Sequence, residues 1–269
     1  MRFQLGTYRR LLSVQIRSQM QYRASFLVDL IATALITLLE FASIALIFDR
    51  FGNIQGWSLG EVAFLYGLVE TAFGLMDMVF SGFDPQHFGR QVRLGAFDQL
   101  LLRPIKITIQ VLGSDFVLRR LGKIILGIAI FVWALNNTAI HWTLGKVLYL
   151  PLVVFGMVAF FGGLFIAGAT ITFWTIESIE AVNVFTYGGQ MMVSYPMHIY
   201  QNWLRQFFTF VLPAIFLNYY PALFFLDKPD PYLYPSLVRF IAPLVGAFVL
   251  AVALGFWRFG LRHYQSTGT

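Results

Sequence analysis

The sequence predicts an all-α integral membrane protein with six transmembrane helices. Three observations carry that expectation. Hydrophobic residues make up 58% of the 269 residues and charged residues only 12%, against about 25% charged in soluble domains. Several apolar runs are long enough to cross about 30 Å of hydrocarbon, which takes roughly 20 helical residues. The basic residues gather in alternate polar connections, as the positive-inside bias requires.

The same composition narrows the chemistry. The chain has no cysteine, which excludes disulfides, thiolate catalysis and cysteine metal sites. Topology accounts for most of the net charge of +6, so it is no signal for nucleic acid. The first twenty residues are polar and lack the apolar core of a cleavable signal peptide.

Met1 to Arg23 comes first. Its five arginines alternate with Phe3, Leu5, Leu11, Leu12, Val14, Ile16 and Met20, a basic amphipathic helix suited to the headgroup layer. The remainder, 24–269, reads as a single transmembrane domain. Span one is expected over 24–48, interrupted by Asp29 and Glu40. Span two follows over 60–82, with Glu70 and Asp77 inside it. A polar island, Gly89 to Pro104, comes next. It holds Arg90, Arg93 and Arg103 around Asp98, and a short amphipathic helix over 89–102 fits, with Val92, Phe97, Leu100 and Leu101 as its apolar stripe. It reads either as a solvated connector or as a docking element through which a cytoplasmic partner pushes on the membrane part, with Phe97 as an aromatic knob.

The third span lies within 111–135, where Arg119, Arg120 and Lys123 push its hydrophobic part towards Leu121–Leu135. The fourth, 147–174, is rich in glycine, which permits close helix approach. A tight turn at Glu177–Glu180 leads to the fifth, 181–200. The aromatic stretch 201–226 is cut by Pro213 and Pro221 into pieces of about 12 residues, each too short to span. It is expected to form a re-entrant or interfacial hairpin, the alternative being one kinked span. The last span is 236–259.

Charge tests the layout. With the N-terminus in the cytoplasm and six spans, only Arg50, Lys146, Arg205, Lys228 and Arg239 of the 19 basic residues lie outside. If 201–226 also crossed, Arg258 and Arg262 would move outside, so the hairpin is placed on the extracytoplasmic face. Both termini are then cytoplasmic.

The intramembrane acids are the candidate ligand-binding groups, because charge in hydrocarbon is costly and is generally functional or paired. Glu70 and Asp77 are seven apart and share a helix face. Glu40 and Glu70 fall near mid-bilayer when about 1.5 Å is counted per residue. The sequence offers no basic residue at that depth. Glu40, Glu70 and Asp77 are therefore expected to face a central cavity and, with Phe41, Tyr66 and Phe73, to favour an amphipathic organic cation. The alternative is that the acids are protonated or hydrogen-bonded structural groups at helix contacts.

The order of features resembles the type-2 class of ABC transporter permeases, the membrane subunits of drug, lipid and polysaccharide exporters. Several strings are similar to one bacterial subfamily encoded beside a separate ATPase. They are GNIQGWSLGEV (Gly52–Val62), RLGAFDQLLLRPI (Arg93–Ile105), TFWT (Thr172–Thr175), YPMHIY (Tyr195–Tyr200) and LPAIFLNYYPA (Leu212–Ala222), and the resemblance covers nearly the whole chain. It implies that 89–102 is the coupling helix seated in an ATPase cleft, with Arg90, Arg93, Phe97, Asp98, Leu101 and Arg103 as the gripped residues. It implies inner-membrane localisation, an ABC ATPase partner that binds ATP and Mg, and a second permease, alike or different, since six spans make half a pathway. No cofactor is expected in this chain. Its two Gly-Lys pairs lack a P-loop: Val117 and Ile140 stand five positions before the second glycine, and Ile124 and Val147 follow the lysine.

If the acids line a substrate cavity, Pro213, Tyr219, Tyr220 and Pro221 are expected to form an outer gate with Arg205 at its entry, the alternative being a plug that fills the outer mouth of a dimer and anchors it at the interface. The histidines, His87, His141, His198 and His263, show no metal-ligand spacing, and no nucleophile elbow is present. The chain is therefore not expected to be an enzyme. A lipid-modifying enzyme would need clustered polar residues, and an ion-coupled secondary transporter would show repeats of broken helices. Neither pattern is visible.

Overall fold

A computed structural model describes residues 2–175, 182–232 and 235–266. They are helical throughout, with no strand among them beyond an isolated bridge between Ile54 and Trp57. Helix α1 (Arg2–Gln21) ends at Tyr22, whose φ of −108° and ψ of 64° break it from α2 (Arg23–Phe51). Gln15 and Gln19 of α1 donate to the carbonyls of Ser114 and Phe116, and Gln19 accepts from the Leu118 amide. These bonds fix the helix against the chain ahead of the third span.

The second span is the centre of the fold. Ser58 and Glu61 close a reciprocal capping box that starts α3 (Leu59–Phe80). Of its most apolar stretch 78% is buried, against 11% for α2. Helix α3 is thus core, and α2 presents most of its surface to lipid or to another chain. Beyond α3 come α4 (Pro85–Arg93), α5 (Ala96–Leu101) and α6 (Ile107–Leu112). Then α7 (Leu121–Asn136) and α8 (Leu144–Ile171) pack on α3. Helix α7 has 16 residues, about 24 Å at 1.5 Å each, so it is short for a bilayer.

Small residues set the crossings. A Cβ on Gly67 of α3 would lie 2.6 Å from the Phe131 nitrogen of α7. The expected close approach of the glycine-rich fourth span is met by α12 (Ala242–His263): a Cβ on Gly246 would overlap the Gly156 carbonyl oxygen. Backbone touches backbone at both crossings.

Two segments depart from the expected layout. The single helix over 89–102 is two, α4 and α5, because Gly95 sits at φ 67°, left-handed backbone that ends α4 and begins a new helix. Val92 before the break and Phe97 after it are both buried, which is why periodicity alone reads one helix. The fifth span is represented by a π-helical turn, Val184–Gly188, and α9 (Gly189–Val193). The expected turn at Glu177–Glu180 and the start at Ala181 lie outside the described residues.

In the region 201–226, α10 (Asn202–Gln206) runs on through a π turn to Val211, and the chain bends by 82° before Ala214–Phe225. The break falls at Pro213. Pro221 breaks nothing, because it lies in the first turn of α11 (Tyr219–Phe225), where no amide donor is needed. Among the described residues four helical stretches are long and apolar enough to cross a membrane: α2, α3 continued to Arg93, α8 and α12. The bent pair would make a fifth. The protein is multi-pass.

Candidate functional site: a charged cavity against the second span

One stripe of α3 carries Tyr66, Glu70, Phe73 and Asp77, each three or four positions from the next. Helix α7 runs antiparallel to it, so its first turn lies against the Asp77 end. Glu70 and Asp77 are both buried. The expectation that no basic residue reaches them is corrected here. Lys123 Nζ lies 2.9 Å from Glu70 Oε2, and Arg120 Nε lies 2.7 Å from Asp77 Oδ2. In the sequence Arg120 and Lys123 read as residues before the hydrophobic part of the span. In the structure α7 begins deep enough to bring both against α3.

The second Glu70 oxygen accepts from the Gln190 amide, and Lys123 is 3.5 Å from Gln190 Oε1. Glu70 Oε2 and Arg120 Nε make their pairs as ionic contacts rather than well-angled hydrogen bonds. Lys123 also lies 5.0 Å over the Phe73 ring. These acids are therefore already neutralised within the chain.

A cavity of about 480 Å³ opens beside them, lined by Glu40, Tyr66, Glu70, Asp77, Arg120, Lys123 and the polar side of the fifth segment, Tyr187, Gln190, Ser194 and Tyr195. Four of the six expected cavity residues thus come together. Phe41 and Phe73 do not line it: Phe41 packs on Tyr66 and Trp133, and Phe73 is buried against Phe161, Phe165 and Tyr187. Glu40 is exposed on α2 and accepts a 3.1 Å hydrogen bond from Tyr66 Oη. It is the acid of this cavity that has no basic partner among the described residues.

The cavity wall is tied to the polar island. Tyr187 donates to Asp84 at 3.1 Å, and the same carboxylate caps α4 through the amides of Gln86 and His87. No sequence spacing signals this link, since Asp84 and Tyr187 are 103 residues apart. Within the island Arg90, Arg93, Leu101 and Arg103 are exposed. Phe97 is not the protruding aromatic knob that a docking element would offer. It is fully buried among Phe88, Phe173, Trp257 and Tyr264. The protruding apolar groups are Leu94 and Leu102, 71% and 86% exposed. Asp98 accepts from Tyr264 Oη at 3.0 Å and from Ser266 Oγ at 2.6 Å. Burial, and then this hydrogen bond to a carboxylate, pushes the Tyr264 phenol up to about 12.

Residues 34–268, most of the chain and every element of this site, match the family described as ABC-2 family transporter protein. The chain belongs to that family. No curated protein and no solved structure matches it. The ABC-2 family accounts for the layout of a membrane transport subunit, and its members work with an ABC ATPase.

At the opposite end of this ABC-2 chain from the polar island, the expected gate residues occupy three settings. Arg205 donates to Tyr232 and Asn202 and lies 4.4 Å over the Tyr232 ring. Pro213 is half-buried at the 82° break. Tyr219, Tyr220 and Pro221 are buried, with Tyr219 stacked on Trp57 and Tyr220 on Phe216. Lys146, buried at the start of α8, holds the end of this region through Asp227 at 2.7 Å and the Phe225 carbonyl.

Proposed function

We propose that the chain is the permease subunit of an ATP-driven exporter in the bacterial inner membrane, with both termini cytoplasmic. It pairs with a second permease and with two ATPase chains that bind ATP and Mg. The 480 Å³ cavity is the substrate site of one half of the pathway, and alternating access moves an amphipathic or hydrophobic substrate, such as an organic cation or drug, outward. The observation that carries this reading is the link from that cavity through Tyr187 and Asp84 to the start of α4. A push on α4 reaches the cavity wall through one carboxylate.

Coupling to the ATPase rests on Arg90, Arg93, Leu101 and Arg103, with Leu94 and Leu102 as the apolar contacts. Phe97 and Asp98 hold the element to Phe173 just beyond α8, to α12 and to the C-terminal segment, so that it moves with them as a rigid body. Substrate selection rests on Glu40, because Glu70 and Asp77 are held by Lys123 and Arg120. A cation entering between Tyr66 and Tyr195 meets a carboxylate and two aromatic faces. Arg205, Pro213, Tyr219, Tyr220 and Pro221 close the outer mouth.

Inverted vesicles carrying the permease with its ATPase test this. Glu40→Gln is expected to cut ATP-dependent uptake of lipophilic cations at least tenfold while leaving basal ATPase activity unchanged. Uptake equal to wild type removes Glu40 from the site. A purified complex that contains no ATPase overturns the whole assignment.

A further inference from the structure

A second cavity, of about 380 Å³, lies where α1 turns into α2, away from the charged cavity. It falls within the range of roughly 300–1,000 Å³ typical of small-ligand sites. Its lining is unusual for a chain with 12% charged residues. Asp29 of α2, Asp115 and Arg119 from the segment before α7, and Ser18 and Ser25 on either side of the α1–α2 break all border it. No ion pair joins the three charged groups to one another, or takes any of them elsewhere, among the described residues. Two acids and one base thus face one space without neutralising each other.

The walls are built rather than accidental. Gln15 and Gln19 spend their amides on the carbonyls of Ser114 and Phe116, and the Leu118 amide returns a bond to Gln19 at 3.0 Å. Those bonds hold the wall of α1 against the wall that carries Asp115 and Arg119. The rim places the cavity at the membrane boundary. Tyr22, 70% exposed, sits at the break between a basic amphipathic helix and an apolar span, the position of interfacial aromatics.

We propose that this cavity binds the headgroup of an amine-bearing zwitterionic phospholipid, of the phosphatidylethanolamine type. The phosphate takes Arg119 and the serine hydroxyls, and the primary ammonium lies between Asp29 and Asp115. A guanidinium matches a phosphate, and a compact ammonium with three donors can satisfy two carboxylates at once. The acyl chains then leave past Tyr22 and Phe26 along the exposed apolar face of α2, where Leu27, Val28 and Ile31 offer lipid contact.

Native mass spectrometry of the delipidated full-length chain tests this, by titration with dioleoyl phosphatidylethanolamine, phosphatidylcholine and phosphatidylglycerol. Binding of the ethanolamine lipid is expected to be at least tenfold tighter than that of either other lipid. Asp115→Asn and Arg119→Gln should each remove that preference, and Arg17→Gln, an equal loss of charge on the exposed face of α1, should keep it. Phosphatidylcholine binding equally well would overturn the role of the primary ammonium. Phosphatidylglycerol binding equally well would reduce the site to a basic patch and overturn it too. Soluble phosphoethanolamine binding as tightly as the lipid would overturn the lipid assignment in favour of a water-soluble zwitterion. Thermal unfolding of each variant checks its fold. If both cavity variants fold and keep the preference, the proposal fails.

Discussion

Replacing Lys123 with methionine removes the cation that faces Glu70 and keeps a chain of similar length in place. At 2.9 Å and an effective dielectric constant of about 20, the Coulomb attraction is about 6 kcal/mol. Desolvation of two buried charges offsets part of it, and removing one partner of a buried pair costs about 3–5 kcal/mol in practice. Lys123 also loses its place over the Phe73 ring, worth about 0.5–2 kcal/mol. The expected loss is therefore about 4–5 kcal/mol, enough to unfold a marginally stable domain. The side chains are 15% and 1% exposed, so little solvent screening reduces this figure. The double variant Lys123→Met with Glu70→Gln is expected to recover at least half of the loss, because the new amide on α3 can still pair with Gln190 and no buried charge remains unpaired. Equilibrium unfolding in mixed detergent micelles measures both single variants and the double. The reasoning fails if the single Lys123 variant lies within about 1 kcal/mol of wild type, or if the two substitutions add to within about 0.5 kcal/mol, as independent sites do.

Three further outcomes follow from the packing. Phe97→Ala should cost about 3–5 kcal/mol, as truncation of a buried aromatic does. The same unfolding assay reads it, and a loss below about 1 kcal/mol would return Phe97 to the exposed surface. Gly246→Ala should cost about 3 kcal/mol, because the added methyl meets the backbone carbonyl of Gly156 rather than a side chain that can move; a neutral outcome would mean that α8 and α12 do not cross at this pair. The Tyr264 phenol is raised in the folded chain from 10.0 to about 12, so its contribution is complete below pH 10 and is lost as pH rises through about 12. An ultraviolet tyrosinate titration of wild type minus Tyr264→Phe should show one step centred above 10, and a step at 10 would show that the contact with Asp98 is not formed in solution.

Much of the fold was legible in the sequence because the bilayer is a demanding solvent. Length and hydropathy alone mark α2, α3, α8 and α12, since each must satisfy its backbone internally and present apolar side chains outward. The glycines of the fourth span announced close packing, and α8 meets α12 through Gly156 and Gly246. Glu70 and Asp77, seven apart on α3, border one cavity, and Glu40 of α2 borders it too.

What the sequence alone determined is therefore the class of solvent and the periodic faces, because both are properties of consecutive residues. What only the tertiary structure decided is which charges are spent. Lys123 meets Glu70 across two helices, Gln190 completes that carboxylate from 120 residues away, and Asp84 joins Tyr187 to the capping of α4. Such pairings depend on the depth and rotation at which helices pack, set by backbone contacts such as Gly67 on Phe131. Rotating α7 by a fraction of a turn would leave Glu70 bare without altering a single letter of the chain.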